Sequence, residues 1–153
     1  MDTFGAGSQN AFDMPIRLKT LFFALHLLVA CEETPEAREG ALQTPYELGD
    51  GNSTATYPEI LEFYRGLARE FPEVNLQTLG ETDSGEPLHL VTYNREGSFN
   101  FQKLSKEKAV ILVLNGIHPG EPDGIDATSL LLRDLATGAV EIPENVVLAS
   151  IPI

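Results

Sequence analysis

The chain has 153 residues, of which 42% are hydrophobic and none is tryptophan. Ten basic residues stand against 23 acidic ones, so the net charge is −13 at pH 7, which argues against binding nucleic acid or an anionic membrane surface through charge. The length suits one folded domain with its own hydrophobic core.

The N-terminal residues have the pattern of a secretory leader. Residues 14–19 form a short basic region, and Leu21–Ala30 is an apolar run that is too brief to span a bilayer comfortably. Together, residues 14–30 predict a signal peptide. Residues 1–13 do not fit a leader, which favours Met14 as the true start.

Cys31 follows the apolar run directly and is the only cysteine, so no intrachain disulfide can form. The order Leu28-Val29-Ala30-Cys31 resembles the lipobox of bacterial lipoproteins, in which the cysteine is lipidated and becomes the mature N-terminus. The resemblance implies a lipid anchor at Cys31 and a periplasmic or outer-surface location in the cell envelope. The alternative is a buried amphipathic helix that ends in a free cysteine. Residues 31–55, rich in Glu, Thr, Pro and Gly, are predicted to form a flexible tether.

Folded structure is predicted to begin near Thr56 with an amphipathic helix. Thr56 can cap this helix, and Pro58 suits its first turn. Apolar residues then recur at a helical period until Pro72 ends the helix. The predicted apolar stripe contains Ile60, Leu61, Tyr64, Leu67, Ala68 and Phe71.

Two strands are predicted next, over Val74–Leu79 and Leu88–Tyr93, joined by a glycine-containing turn. Ser84 lies in that turn and is predicted to be a turn residue rather than a nucleophile. His89 alternates with apolar neighbours in the second strand and is predicted to face solvent. Residues 94–108 are predicted to be a polar connection.

The second half of the chain predicts a strand, a helix and a strand. Ala109–Leu114 is an unbroken apolar run, rich in β-branched residues, that predicts a fully buried strand. A helix is predicted over 124–137, with Gly138 to stop it, and a last strand over 145–153. The predicted fold class is therefore α/β, with a mixed β-sheet flanked by helices.

A loop between the buried strand and the second helix carries the strongest chemical signal. His118 and Glu121 are three residues apart, just past the strand, and can turn toward one point. Two of the three protein ligands of a catalytic Zn²⁺ are often supplied in this way. The alternative is a polar loop in which His118 caps a helix and Glu121 faces water. Asp123 and Asp126, just past the loop, are predicted to cap the helix.

The run His118-Pro119-Gly120-Glu121, after a hydrophobic strand and Asn-Gly-Ile, resembles the first zinc-ligand motif of the zinc metallocarboxypeptidases. The segment 57–64 resembles the first helix of that family, and the segment 79–91 resembles its hairpin. These landmarks occur in the family's order and cover residues 56–153. The resemblance implies a truncated N-terminal part of a zinc-carboxypeptidase-like (phosphorylase/hydrolase-like) domain, with His118 and Glu121 as zinc ligands and a peptide as substrate.

The resemblance also implies what this chain does not supply. In the family, a second zinc His, a carboxylate-binding Arg, a substrate-side Tyr and a general-base Glu follow later, and none has a matching position here. The general base is thus expected beyond residue 153, and we expect the chain by itself to hydrolyse no peptide. Many family members also have Arg before the Glu ligand, where this chain has Gly120.

Two other functions stay open at this point. One is a zinc amidohydrolase of the succinylglutamate desuccinylase or aspartoacylase type, which shares a His-x-x-Glu loop. The hairpin motif favours the peptidase, whereas the absence of Arg before Glu121 keeps the amidohydrolase open. The other is a non-catalytic, lipid-anchored binding module in which the loop is vestigial.

Overall fold

The computed structural model describes residues 42–118 and 120–153. The predicted signal peptide, Cys31 and Pro119 lie outside these described residues. The described chain forms four helices and four strands. In chain order they are α1 (Pro45–Leu48), α2 (Tyr57–Glu70), β1 (Val74–Glu81), β2 (Pro87–Tyr93), α3 (Phe101–Glu107), β3 (Ala109–Leu114), α4 (Asp123–Thr137) and β4 (Val146–Ile151).

The four strands form one mixed sheet in the order β1-β2-β4-β3. The pairs β1–β2 and β2–β4 are antiparallel, and β3 pairs with β4 in parallel. Because parallel neighbours need a crossover connection, α4 links β3 to β4. The prediction of an α/β fold with a mixed sheet and flanking helices is confirmed.

The hydrophobic core lies between the sheet and helices α2 and α4. Both helices contact the sheet and each other, so they cover one face of it. The core residues come from both helices, from the three strands β1, β2 and β4, and from the segment before α2. They are Ala55, Ile60, Tyr64, Leu67, Val74, Val91, Tyr93, Ile125, Leu132, Leu135 and Leu148.

Helix α2 begins and ends as predicted. The Glu59 carboxylate accepts hydrogen bonds from the Thr56 backbone N–H at 2.8 Å and from the Thr56 hydroxyl at 2.6 Å. These bonds favour the charged form and lower the pKa of Glu59. The helix ends at Glu70, two residues before Pro72. Helix α4 likewise ends where predicted, with Gly138 in the left-handed region at φ 77°.

The hairpin of β1 and β2 confirms the turn role of Ser84. Its hydroxyl lies 2.9 Å from that of Thr82 within the exposed turn. The prediction for His89 is wrong, because this side chain is buried. Helix α2 covers the end of the hairpin, and the Tyr57 hydroxyl lies 2.7 Å from His89 Nδ1. Alternation in a strand predicts that a polar ring faces solvent, but a hydrogen-bond partner makes its burial tolerable.

Residues 94–108 contain a helix, α3, that the polar-connection prediction missed. Asn100 caps it, with its side-chain oxygen accepting from the backbone N–H groups of Gln102 and Lys103. Leu104 is its only buried residue. A helix of two turns with one buried side chain has no apolar stripe to reveal it.

Strand β3 is exposed, so the prediction of a fully buried strand is wrong. Ile111, Leu112 and Leu114 are each at least 50% exposed. The strand lies at one edge of the sheet, and within residues 42–118 and 120–153 only β4 pairs with it. An unbroken apolar run shows that a strand suits burial on both faces, but it does not show what covers it.

Ordered structure begins before Thr56. Thr44 is buried and caps α1, and Glu47 of α1 forms an ion pair with Arg133 of α4. The tether prediction is therefore wrong for residues 42–55, because a buried cap and an ion pair fix them to the domain. In the part of the chain that the structure describes, no helix is both long and apolar enough to cross a membrane.

Candidate functional site

Asn115 anchors the loop that leaves β3. Its side chain is buried, and its Nδ2 donates to Ser150 Oγ of β4 at 2.9 Å. Its Oδ1 accepts from the Thr128 hydroxyl of α4 at 3.2 Å. Its backbone N–H also donates to the Ile151 carbonyl at 3.2 Å. One side chain therefore ties the end of β3 to both the neighbouring strand and the following helix.

The start of α4 packs closely against this anchor. A Cβ atom built on Gly124 would lie 2.9 Å from Asn115 Oδ1, which is closer than ordinary van der Waals contact. Glycine at this position thus lets the helix approach the asparagine. This contact fixes the position of the first turn of α4, and therefore the C-terminal end of the loop between β3 and α4.

His118 and Glu121 come together in this loop. His118 Nδ1 lies 3.1 Å from Glu121 Oε2, and the Glu121 backbone N–H donates to the His118 carbonyl at 3.4 Å. Both side chains are open to solvent, with exposed fractions of 68% and 62%. Gly120 between them has φ 84°, in the left-handed region where a side chain is strained. This conformation suits glycine, and any side chain at position 120 would be strained.

The donor atoms of this pair fit a zinc ion. Zinc binds imidazole nitrogen and carboxylate oxygen at about 2.0–2.1 Å, so two tetrahedral ligands lie about 3.3 Å apart. The observed separation of 3.1 Å is close to that value. The exposure of both side chains leaves room for further ligands.

Neither acidic residue past the loop caps α4, so that prediction is wrong. The N-cap is Pro122, and no side-chain hydrogen bond caps this end of the helix among the described residues. Asp126 Oδ1 instead accepts from the Thr54 hydroxyl at 2.8 Å, which ties α4 to the segment before α2. Asp123 and Asp126 still lie in the first turn, where the helix dipole favours negative charge.

The site is incomplete as a metal centre. In residues 42–118 and 120–153, no three His, Cys, Asp or Glu side chains come together as a metal-binding group. The zinc role of His118 and Glu121 stays a prediction. The anchoring role of Asn115 was not predicted from the sequence. Its one indication was a polar amide directly after six apolar residues, and an asparagine at this position also suits a simple turn.

The fold is shared with part of a known carboxypeptidase. The carboxypeptidase A from Helicoverpa armigera superposes with a TM-score of 0.56 at 20% identity, over 77% of this chain and 31% of that one. The metallo-carboxypeptidase from Burkholderia cenocepacia superposes with a TM-score of 0.48 at 19% identity, over 65% of this chain and 27% of that one. No protein-family model and no curated protein matches the chain. This chain thus spans less than a third of the length of either enzyme.

Proposed function

We propose that this chain is the part of a zinc-dependent metallocarboxypeptidase that supplies two of its zinc ligands, His118 and Glu121. The observation that carries the proposal is the 3.1 Å separation of His118 Nδ1 and Glu121 Oε2 just past the end of β3. The fold shared with part of carboxypeptidase A supports a hydrolase of the metallocarboxypeptidase type. The proposed substrate of the whole protein is a peptide.

The chain's own residues would hold and orient the metal ligands. When bound in such enzymes, zinc polarises the scissile carbonyl and lowers the pKa of a bound water. His118 would bind through Nδ1 in its neutral form, and Glu121 through its carboxylate. Asn115 fixes the base of the loop, so that the two ligand side chains start from a rigid position.

We further propose that this chain alone hydrolyses no peptide. A catalytic zinc site has three protein ligands and a water, whereas this loop offers two ligands. The reaction also needs a general base, and the metallocarboxypeptidase resemblance places that glutamate later in the sequence than any residue of this chain. Peptide hydrolysis by the chain on its own, abolished by a chelator, would contradict this part of the proposal.

Zinc binding tests the assignment of the two ligands. Titration of the full chain with Zn²⁺ by calorimetry should reveal one weak site. His118→Ala and Glu121→Gln should each weaken it by at least about tenfold, since each removes half of the protein's donors. Glu81→Gln, at the opposite edge of the sheet, is the matched control. Equal weakening by all three variants would mean that zinc binds the acidic surface generally, and would overturn the assignment.

Substrate class separates peptidase from amidohydrolase. A version of the protein that contains the remaining zinc ligands should release C-terminal residues from peptides and lose this activity with a chelator. Cleavage of small N-acyl amino acids, with peptides untouched, would favour the succinylglutamate desuccinylase or aspartoacylase type. Failure to bind zinc at all would favour a lipid-anchored binding module.

We also propose that the mature protein is a bacterial cell-envelope lipoprotein anchored through Cys31. The support is the sequence order of basic region, apolar run, small residue and cysteine. Metabolic labelling with an alkyne fatty acid in a bacterial host should mark the protein, and Cys31→Ser should abolish the label. Labelling that survives this substitution would contradict the anchor.

A further inference from the structure

A cavity lies near strand β1, at the edge of the sheet opposite β3, between α2 and the β1–β2 hairpin. It measures about 350 Å³, the lower end of the range for ligand sites. Helix α2 supplies one wall from residues three and four apart, and the hairpin supplies the other. The lining residues are Arg65, Ala68, Arg69, Leu76, Thr78 and His89.

The polar groups of this cavity are almost all hydrogen-bond donors. Arg65 and Arg69 provide guanidinium groups, and Thr78, directly opposite His89 across the hairpin, provides a hydroxyl. Among the described residues, none that lines the cavity is acidic. In a chain with 10 basic and 23 acidic residues, two arginines beside one small cavity form a local concentration of positive charge.

The hydrogen bonds of His89 determine which ring atom serves the cavity. The Tyr57 hydroxyl donates its single proton to the Pro87 carbonyl at 2.7 Å, so at His89 it acts as an acceptor. Burial, and then the Glu86 carboxylate, raise the pKa of Tyr57, which keeps that proton in place. His89 Nδ1 therefore carries a proton and donates it to Tyr57. Nε2 is left for a ligand, either as an acceptor or, in the imidazolium, as a second donor.

The two arginines are held only weakly by protein carboxylates. Arg65 lies 3.6 Å and Arg69 lies 3.2 Å from the same Glu62 side chain, which is mostly exposed. Exposed ion pairs of this kind contribute little. Since both ion pairs with Glu62 are exposed, an incoming anion can compete with this carboxylate for the two guanidinium groups.

We propose that this cavity binds a small oxyanion, a phosphate or carboxylate group, between the guanidinium groups of Arg65 and Arg69, the Thr78 hydroxyl and His89 Nε2. Guanidinium groups recognise both kinds of anion through paired, charge-assisted hydrogen bonds. The site is separate from the zinc loop, since β1 and β3 are the two opposite edges of the sheet. It therefore stands whether or not the peptidase assignment holds.

Calorimetric titration of the full chain with inorganic phosphate and, separately, with succinate tests this site. Saturable one-to-one binding of at least one of them is expected in the millimolar range. Arg65→Gln and Arg69→Gln should each weaken it about tenfold, the effect of losing one charge-assisted hydrogen bond. Glutamine keeps the helix propensity of arginine, so both variants should fold. The matched control is Arg95→Gln, an exposed arginine paired with Glu141 and Glu144.

Two calorimetric outcomes would overturn the proposal. One is no saturable binding of either anion, and the other is equal weakening by Arg95→Gln, which would mean non-specific attraction. Which of the two anions binds distinguishes a phosphate ligand from a carboxylate ligand. Amide chemical shifts provide a second readout: ligand should shift Thr78 and His89 and leave Asn115 unchanged. Shifts centred on Asn115 instead would also contradict the site.

Discussion

Asn115 shows how a single buried amide can set the geometry of an exposed loop. Its side chain forms hydrogen bonds with the hydroxyls of Ser150 in β4 and Thr128 in α4, and both hydroxyls are buried. Because buried polar groups are costly when unpaired, the Thr128 hydroxyl also depends on the asparagine, whereas the Ser150 hydroxyl has a second bond to the Ile151 carbonyl at 3.4 Å. The loop that carries His118 and Glu121 starts from this fixed point.

Asn115→Ala is therefore expected to lower the free energy of unfolding by about 1–3 kcal/mol, since it leaves the buried Thr128 hydroxyl without this partner and removes the bond to Ser150 Oγ. Urea unfolding followed by circular dichroism measures this. Asn52→Ala, on an exposed turn, is the control and should change stability by less than about 0.5 kcal/mol. Zinc affinity should also fall in Asn115→Ala, and unchanged affinity would mean that the loop holds its own shape.

The candidate site is only partly predictable from the sequence, for reasons that lie in its residues. The pair His118 and Glu121 is local, so spacing after a strand is enough to predict that the two side chains meet. The partners of Asn115 are 13 and 35 residues away. The burial of His89 depends on Tyr57, which is 32 residues away. Contacts at such separations have no periodic signature.

Among the elements, α2 and α3 show which helices a sequence pattern can predict and which it cannot. Helix α2 has a cap, a proline in its first turn and four buried residues on one face, so each local signal agrees. Helix α3 buries only Leu104 and escapes prediction. The position of strand β3 along the chain is predicted correctly, but its exposure depends on neighbours and not on its own residues.

Two glycines in helices should respond to substitution by alanine with opposite changes in the free energy of unfolding. A Cβ atom added to Gly66 in α2 would meet only Arg69 Nη2, at 3.9 Å, so Gly66→Ala should raise the free energy of unfolding by about 0.5–1 kcal/mol. Gly124→Ala should lower it, because the Cβ would lie 2.9 Å from the bonded Asn115 Oδ1. Thermal unfolding of both variants makes the comparison. Stabilisation of both would mean that Asn115 can move aside without loss.

For the molecule as a whole, residues 42–55 are part of the folded domain. The Glu47 carboxylate accepts hydrogen bonds from Arg133 and from both the backbone N–H and the hydroxyl of Thr44. The bond from Arg133 is the largest cause that lowers the pKa of Glu47. Together with the bond from the Thr54 hydroxyl to Asp126, this carboxylate holds the N-terminal segment of the described chain to α4.

The lowered pKa of Glu47 predicts a specific dependence on pH. Since its pKa is lower folded than unfolded, the ion pair stabilises the fold above the usual glutamate value, and this contribution is lost as pH falls below about 4.5. Glu47→Gln should thus destabilise by about 1 kcal/mol at pH 7 and by less at pH 3. Urea unfolding at both pH values measures this, with the exposed Glu141→Gln as control. If Glu47→Gln lowers the free energy of unfolding by the same amount at both pH values, the ion pair is excluded as the source of the effect.

The open edge of β3 has a consequence for the exchange of backbone hydrogens with solvent. The N–H groups of Ala109 and Asn115 point toward the β4 side, where they donate to the carbonyls of Asn145, directly before β4, and Ile151, at its end. Because a strand alternates, the amides of residues 111 and 113 point the same way, whereas those of 110, 112 and 114 point outward. One strand would therefore carry slow- and fast-exchanging amides in strict alternation. Any polypeptide that joined this edge would slow only the second set, so deuterium uptake at every other residue would reveal its presence and its register.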